Sequence, residues 1–86
     1  MNIETNKRIG KYLRQLRTNA GFTQKDVAER LGVPQSTVSK LEIGTRSLRF
    51  YELFAYAEVL GLNPDVMFAD ARRCLWGKKP STSLPR

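Results

Sequence analysis

The stretch Thr23 to Glu42 reads TQKDVAERLGVPQSTVSKLE, and it decides how the chain folds. Two short amphipathic segments are joined by Gly32, Val33 and Pro34. In the first, Val27, Ala28 and Leu31 recur at helical spacing, after Thr23, which sits three residues before Asp26 as in a capping box. Gly32 stands where a left-handed C-cap is wanted, and Pro34 is tolerated at the start of the next helix because a first-turn N–H has no intrahelical partner. In the second segment Val38 and Leu41 point one way while Gln35, Ser36, Ser39 and Lys40 point the other. That outer face is not the usual mixture of Glu and Lys. It is hydrogen-bonding and carries no carboxylate.

Two short helices around a tight turn, the second polar on its outer side, form a helix-turn-helix pattern, whose second helix enters the DNA major groove. The side chains suit that task. Gln can hold adenine N6 and N7, Ser fits several bases, and Lys favours guanine. Gln35, Ser36, Ser39 and Lys40 are therefore the candidate base-reading residues.

Outside this stretch the pattern is helical throughout. Ile9, Leu13, Leu16 and Ala20 mark a first helix, with Thr5 or Asn6 as its cap and Gly21 as its stop. Its Lys7, Lys11 and Arg14 form a basic stripe, which reads as a solvated face. IGTRSLR is a loop. A fourth helix runs through FYELFAYAEVL, with Phe50, Leu53, Ala57 and Leu60 on its apolar face. A fifth follows Asn63, with Pro64 at its first position and Arg72 and Arg73 at its negative end. No strand pattern and no repeat is present. The expected fold is an all-α bundle of five helices over residues 1–75, followed by a polar, basic tail at 76–86, expected to be disordered.

Composition restricts the function. The chain has 86 residues, one domain's worth, with fifteen Lys and Arg against eight Asp and Glu, a formal net charge of +7. That excess favours a polyanionic partner. There is no His, the commonest general base and metal ligand, and no Gly-rich phosphate loop, so neither an enzyme nor a metal or cofactor site is expected. A lone Cys excludes an internal disulfide and suits a reducing cytoplasm. No apolar run is long enough to span a bilayer, and MNIETNKRIGKY has no apolar core of a secretory signal. Aromatic platforms for stacking RNA bases are lacking. Phe54, Tyr56, Val66 and Trp76 exceed what the core stripes need, and serve either packing or an interface.

The long pattern LRTNAGFTQKDVAERLGVPQSTVSKLEIGTRS, continued by ELFAYAEVLGLNPDVMF, resembles the Xre family of helix-turn-helix proteins, the phage repressor and Cro type, over roughly residues 7–68. The resemblance implies a five-helix fold and sequence-specific binding of double-stranded DNA, as a homodimer on an inverted-repeat operator, to regulate transcription. It implies that Gln24, at the positive end of the second helix, holds a backbone phosphate, and that Arg46, Ser47 and the loop amides around them do the same. The alternative role for Gln24 and Ser39 is simple capping or solvation. It implies a structural ion pair between Arg17 and Glu42, and a dimer interface near the fifth helix, with Val66, Met67, Asp70 and Leu75 as candidates. The sequence departs from the family at Pro34, where a capping Ser or Thr is usual, at Ile43, and at Ser47-Leu48-Arg49, where Arg49 replaces a cap and becomes a further phosphate candidate. A second reading is an antitoxin-like protein whose tail neutralises a partner toxin enzyme while the protein autoregulates its operon.

Overall fold

The computed structural model describes residues 3–76 and is all-α, with α1 (Ile3–Asn19), α2 (Gln24–Leu31), α3 (Gln35–Ile43), α4 (Phe50–Leu60) and α5 (Pro64–Trp76). The expected tail lies outside the described residues, apart from Trp76, the last residue of α5. No described helix is long and apolar enough to cross a membrane.

The turn between α2 and α3 is built by local chemistry. Thr23 Oγ1 accepts the Asp26 N–H at 3.0 Å, and Asp26 Oδ2 accepts the Thr23 N–H at 2.9 Å, a reciprocal capping box. These bonds to Thr23 hold the Asp26 carboxyl below its usual range. Gly32 ends α2 in the left-handed region, and the Val33 N–H turns back to the Ala28 carbonyl at 3.0 Å. Pro34 then opens α3 with no side-chain cap.

The core takes Leu13 from α1, Val27 and Ala28 from α2, Val38 and Leu41 from α3, Leu53, Tyr56 and Ala57 from α4, and Met67 from α5. Each fully buried Val or Leu contributes roughly 1.5–3 kcal/mol by leaving water. One contact is unusually close. A Cβ placed on Gly10 would lie 2.3 Å from the Glu42 carbonyl oxygen and 2.5 Å from that of Leu41. The α1 and α3 backbones therefore touch where only glycine fits. Gly44 repeats the arrangement one turn away: its φ is +96°, and a Cβ there would meet the Lys7 backbone at 2.9 Å. These two glycines seat the C-terminal end of α3 against α1.

Several expectations are corrected. α1 already runs through Thr5 and Asn6, so neither caps it, and Asn6 instead hydrogen-bonds Ser47 across the fold. Phe50 is 70% exposed, because the first residue of α4 lies beyond the edge of the core. Tyr56, left open between packing and an interface, is fully buried and packs the core. Met67 is 1% exposed, inside the core, and is unavailable to a second subunit.

Candidate nucleic-acid interface

α3 presents Gln35, Ser36 and Lys40 to solvent, with Ser39 half-buried beside them. Among the described residues, none of these four side chains has a hydrogen-bond partner. Their donors and acceptors face outward from a helix whose opposite side, Val38 and Leu41, is locked in the core. Thr37 is half-buried at the border, and Ile43 is 59% exposed at the C-terminal end. The surface can thus offer hydrogen bonds and one mobile positive charge without first breaking a contact of its own.

Beneath this face lies a buried polar cluster. Arg17 Nε donates to Glu42 Oε2 at 2.6 Å and Arg17 Nη2 to Glu42 Oε1 at 3.1 Å, while Nη1 donates to the Phe22 carbonyl at 2.9 Å. Hydrogen bonding to Glu42 raises the Arg17 pKa further, against the opposing effect of burial, so the guanidinium stays charged. Gln24 joins the cluster through its Nε2, which donates to Glu42 Oε1 at 3.0 Å. Three elements meet at one carboxylate: α1, the first residue of α2, and α3. One amide proton of Gln24 is committed to Glu42, and its second proton and its carbonyl oxygen remain.

The loop after α3 differs from the expectation of free backbone donors. The N–H groups of Gly44, Thr45 and Arg46 all converge on the Lys40 carbonyl, at 3.0, 3.0 and 3.3 Å. They close the helix and are not turned outward. Arg46 makes a two-pronged pair with Glu52, at 3.0 and 2.9 Å, and is half-buried. Glu52 Oε1 also accepts the Arg49 N–H at 2.7 Å, half of a capping box at the start of α4. Burial pushes the Glu52 carboxyl upward, but the bonds from Arg46 and the Arg49 amide outweigh it and hold the group below the usual range. Arg49 itself is exposed and donates to the Tyr51 hydroxyl at 3.2 Å. Ser47 bonds Asn6 in α1 at 3.1 Å.

Of the interface candidates on α5, Val66 is 56% exposed, Asp70 pairs with Arg73, and Leu75 is half-buried. The apolar surface near them is made chiefly by Phe50, which periodicity placed on the core face, by Phe54, read as serving packing or an interface, and by Phe68. Phe50, Phe54 and Phe68 form a cluster of tilted and edge-to-face rings with centroids 5.2–5.7 Å apart, and they are 70%, 40% and 37% exposed. The cluster adjoins a groove of about 720 Å³ lined by Ile9, Tyr12, Leu53, Phe68, Ala71 and Leu75, among others.

The sequence reading also missed Gly10, Asn6 and Glu52. An isolated Gly inside a helical pattern is the signal for the first, since it costs helix stability unless packing demands it. Glu52 stands three residues after Arg49, the capping-box spacing. Asn6 carries a helix-cap signal, but nothing in the sequence marks its bond to Ser47.

A polar recognition face on a short helix, reached by a tight turn and braced from behind, defines a helix-turn-helix protein. Residues 13–67 match the family model described as Helix-turn-helix, and the chain belongs to that family of DNA-binding regulators. It is 28% identical, over 91% of its length and 82% of the relative's, to an uncharacterized transcriptional regulator in the ATPase CF(0) region of Rhodospirillum rubrum. It also resembles the crystal structure of the restriction-modification controller protein C.AhdI from Aeromonas hydrophila, with TM-score 0.65 and 30% identity, covering 70% of this chain and 91% of that one.

Proposed function

We propose that the protein binds a two-fold DNA operator as a homodimer in the cytoplasm and regulates transcription, with α3 in the major groove. The observation that carries this reading is the outer face of α3. Gln35, Ser36, Ser39 and Lys40 have no partner within the described protein, yet their helix is fixed by the Arg17–Glu42–Gln24 cluster. A rigid helix with unspent hydrogen bonds suits the reading of base edges. Gln24, Ser47 and Arg49 supply phosphate contacts around it, and Arg46 contributes mainly by shaping the loop through Glu52. The likeness to a transcriptional regulator and to a restriction-modification controller protein supports the regulatory role. Phe50, Phe54, Val66 and Phe68 supply the apolar surface for the second subunit. The antitoxin-like reading depends on the tail, which lies outside the described residues.

Selection of binding sites from random duplexes tests the proposal. The expected result is an inverted repeat with half-site centres about 34 Å apart, one helical turn, bound by two chains. Sites with no two-fold symmetry, or a single chain bound at saturation, would overturn the dimeric operator.

A further inference from the structure

We infer that α1 carries a second phosphate-binding row, Lys7, Lys11 and Arg14, which lengthens the DNA contact beyond the helix-turn-helix; this rests on the proposed DNA binding. All three residues are exposed. Spacings of four and three residues put them on one helix face. Among the described residues, none of them pairs with a carboxylate. Neighbouring cations do pair: Arg8 with Glu4, Arg17 with Glu42, Arg46 with Glu52. α1 holds one acidic residue, Glu4, and Arg8 pairs with it, so the charge of the row is not neutralised within its own helix.

The position of α1 gives the row its direction. Near its N-terminal end, Asn6 bonds Ser47 and the Lys7 backbone abuts Gly44, so this end touches the loop after α3. Near its C-terminal end, Arg17 reaches Glu42 and, through it, Gln24 at the start of α2. α1 thus bridges the two places assigned to the sugar–phosphate backbone, and the row runs between them. Lys7 to Arg14 spans about 10 Å at 1.5 Å per residue. That is the axial reach of about three phosphates of one strand, at 3.4 Å each. The two flexible ammonium groups and the Arg14 guanidinium, without carboxylate partners among the described residues, suit contacts that place charge and read no sequence.

The test is the salt dependence of affinity for the selected duplex and for a random one. It compares the unaltered protein, the neutral variant K7Q/K11Q/R14Q, and the charge-preserving variant K7R/K11R/R14K. Each lost phosphate contact flattens the plot of log affinity against log salt by about 0.9. The neutral variant should therefore be shallower by about 2.7 per subunit, with the same base preference, and the charge-preserving variant should keep the original slope. If the neutral variant melts lower, Lys11→Gln alone should still flatten the slope by about 1. Binding by the unaltered protein with an unchanged slope in the neutral variant overturns the row and leaves the proposed function standing. Altered base preference in the neutral variant also overturns it, since the row would then be reading sequence. Failure of the unaltered protein to bind any duplex removes the proposed function and this inference together.

Discussion

Arg17 and Glu42 face each other with two hydrogen bonds, at 2.6 and 3.1 Å, at a depth where each residue is only 9% exposed. Neither charge is supported by much water, so each depends on the other. Removing one leaves an uncompensated buried charge, at a cost of about 3–5 kcal/mol. Glu42→Ala should therefore lower the unfolding free energy by that order. The double replacement Arg17→Met with Glu42→Leu should cost much less than the sum of the single changes. Chemical denaturation of the three variants measures this. Additive losses would show that the two residues act independently.

Gly10→Ala sets two effects of opposite sign against each other. In an exposed helix the change gains about 1 kcal/mol of helix propensity. Here the new Cβ would meet two backbone carbonyls at 2.3 and 2.5 Å, and backbone cannot rotate aside as a side chain can. Overpacking of this kind costs typically 1–3 kcal/mol, and the relief is a shift of α1 away from α3. The clash should win. The variant should melt lower and bind DNA less well, because the moved element braces the recognition helix. A higher melting temperature would mean that α1 and α3 separate freely.

Much of this was legible in the sequence for a physical reason. The α2–α3 turn is fixed by neighbours in the chain: Thr23 with Asp26, Gly32 with Val33, Pro34 at a first turn. Local chemistry of that kind leaves a local record. The outer face of α3 was legible because Val38 and Leu41 define the inner one. Arg46 was harder. A basic loop residue beside a helix proposed to read DNA looks like a phosphate contact, and only the fold shows Glu52 closing on it from α4. Phe50 was misplaced because periodicity fixes direction around a helix but not where the core ends. Met67 was misplaced because the depth at which α5 docks has no signature in its own spacing.

Gln35→Ala and Arg46→Ala should separate reading from holding. Gln35 is exposed and has no partner among the described residues, so its loss should leave melting unchanged. On the best operator it should cost about 1–3 kcal/mol per half-site, with little loss on random DNA. Arg46→Ala should lower melting, because half-buried Glu52 loses its guanidinium partner. Its effect on DNA should be similar for all sequences. Equal weakening of both duplexes by Gln35→Ala, with altered base preference in Arg46→Ala, would move the reading surface to the loop.

Stability should depend on pH only towards the extremes. The Glu52 and Asp26 carboxyls are held below their ordinary values of 4.5 and 3.8. The folded state therefore binds protons less readily than the unfolded state, and this stabilisation is present above those values. It is lost as pH falls below them, through the lower folded values. Tyr56 is the opposite case. Burial, then the nearby Glu42 and Glu52 charges, push its hydroxyl above the ordinary value of 10.0. Its contribution is present below that value and is lost as pH rises past it. With no His in the chain, melting temperature should be nearly flat from about pH 5 to 9 and fall on either side. A step near pH 6.5 would contradict this assignment of the titrating groups.

The aromatic cluster of α4 and α5 yields the last prediction. Phe50, Phe54 and Phe68 keep 70%, 40% and 37% of their surface exposed in a single chain, although they pack edge to face against one another. A contiguous apolar patch of this kind on a small domain marks an interaction site. Aromatic residues also concentrate in interface cores. Phe50→Asp should remove a large ring from the patch and place a charge where the second subunit would desolvate it. Phe50 is outside the core, so the isolated domain should keep its helical content, and only the concentration dependence of melting should disappear. Sedimentation equilibrium should show a dimer for the unaltered protein and a monomer for the variant. DNA binding should weaken on the two-fold operator far more than on an isolated half-site, because only the former uses both subunits. A variant that remains dimeric would place the subunit contact elsewhere, on Val66 and the outer side of α5.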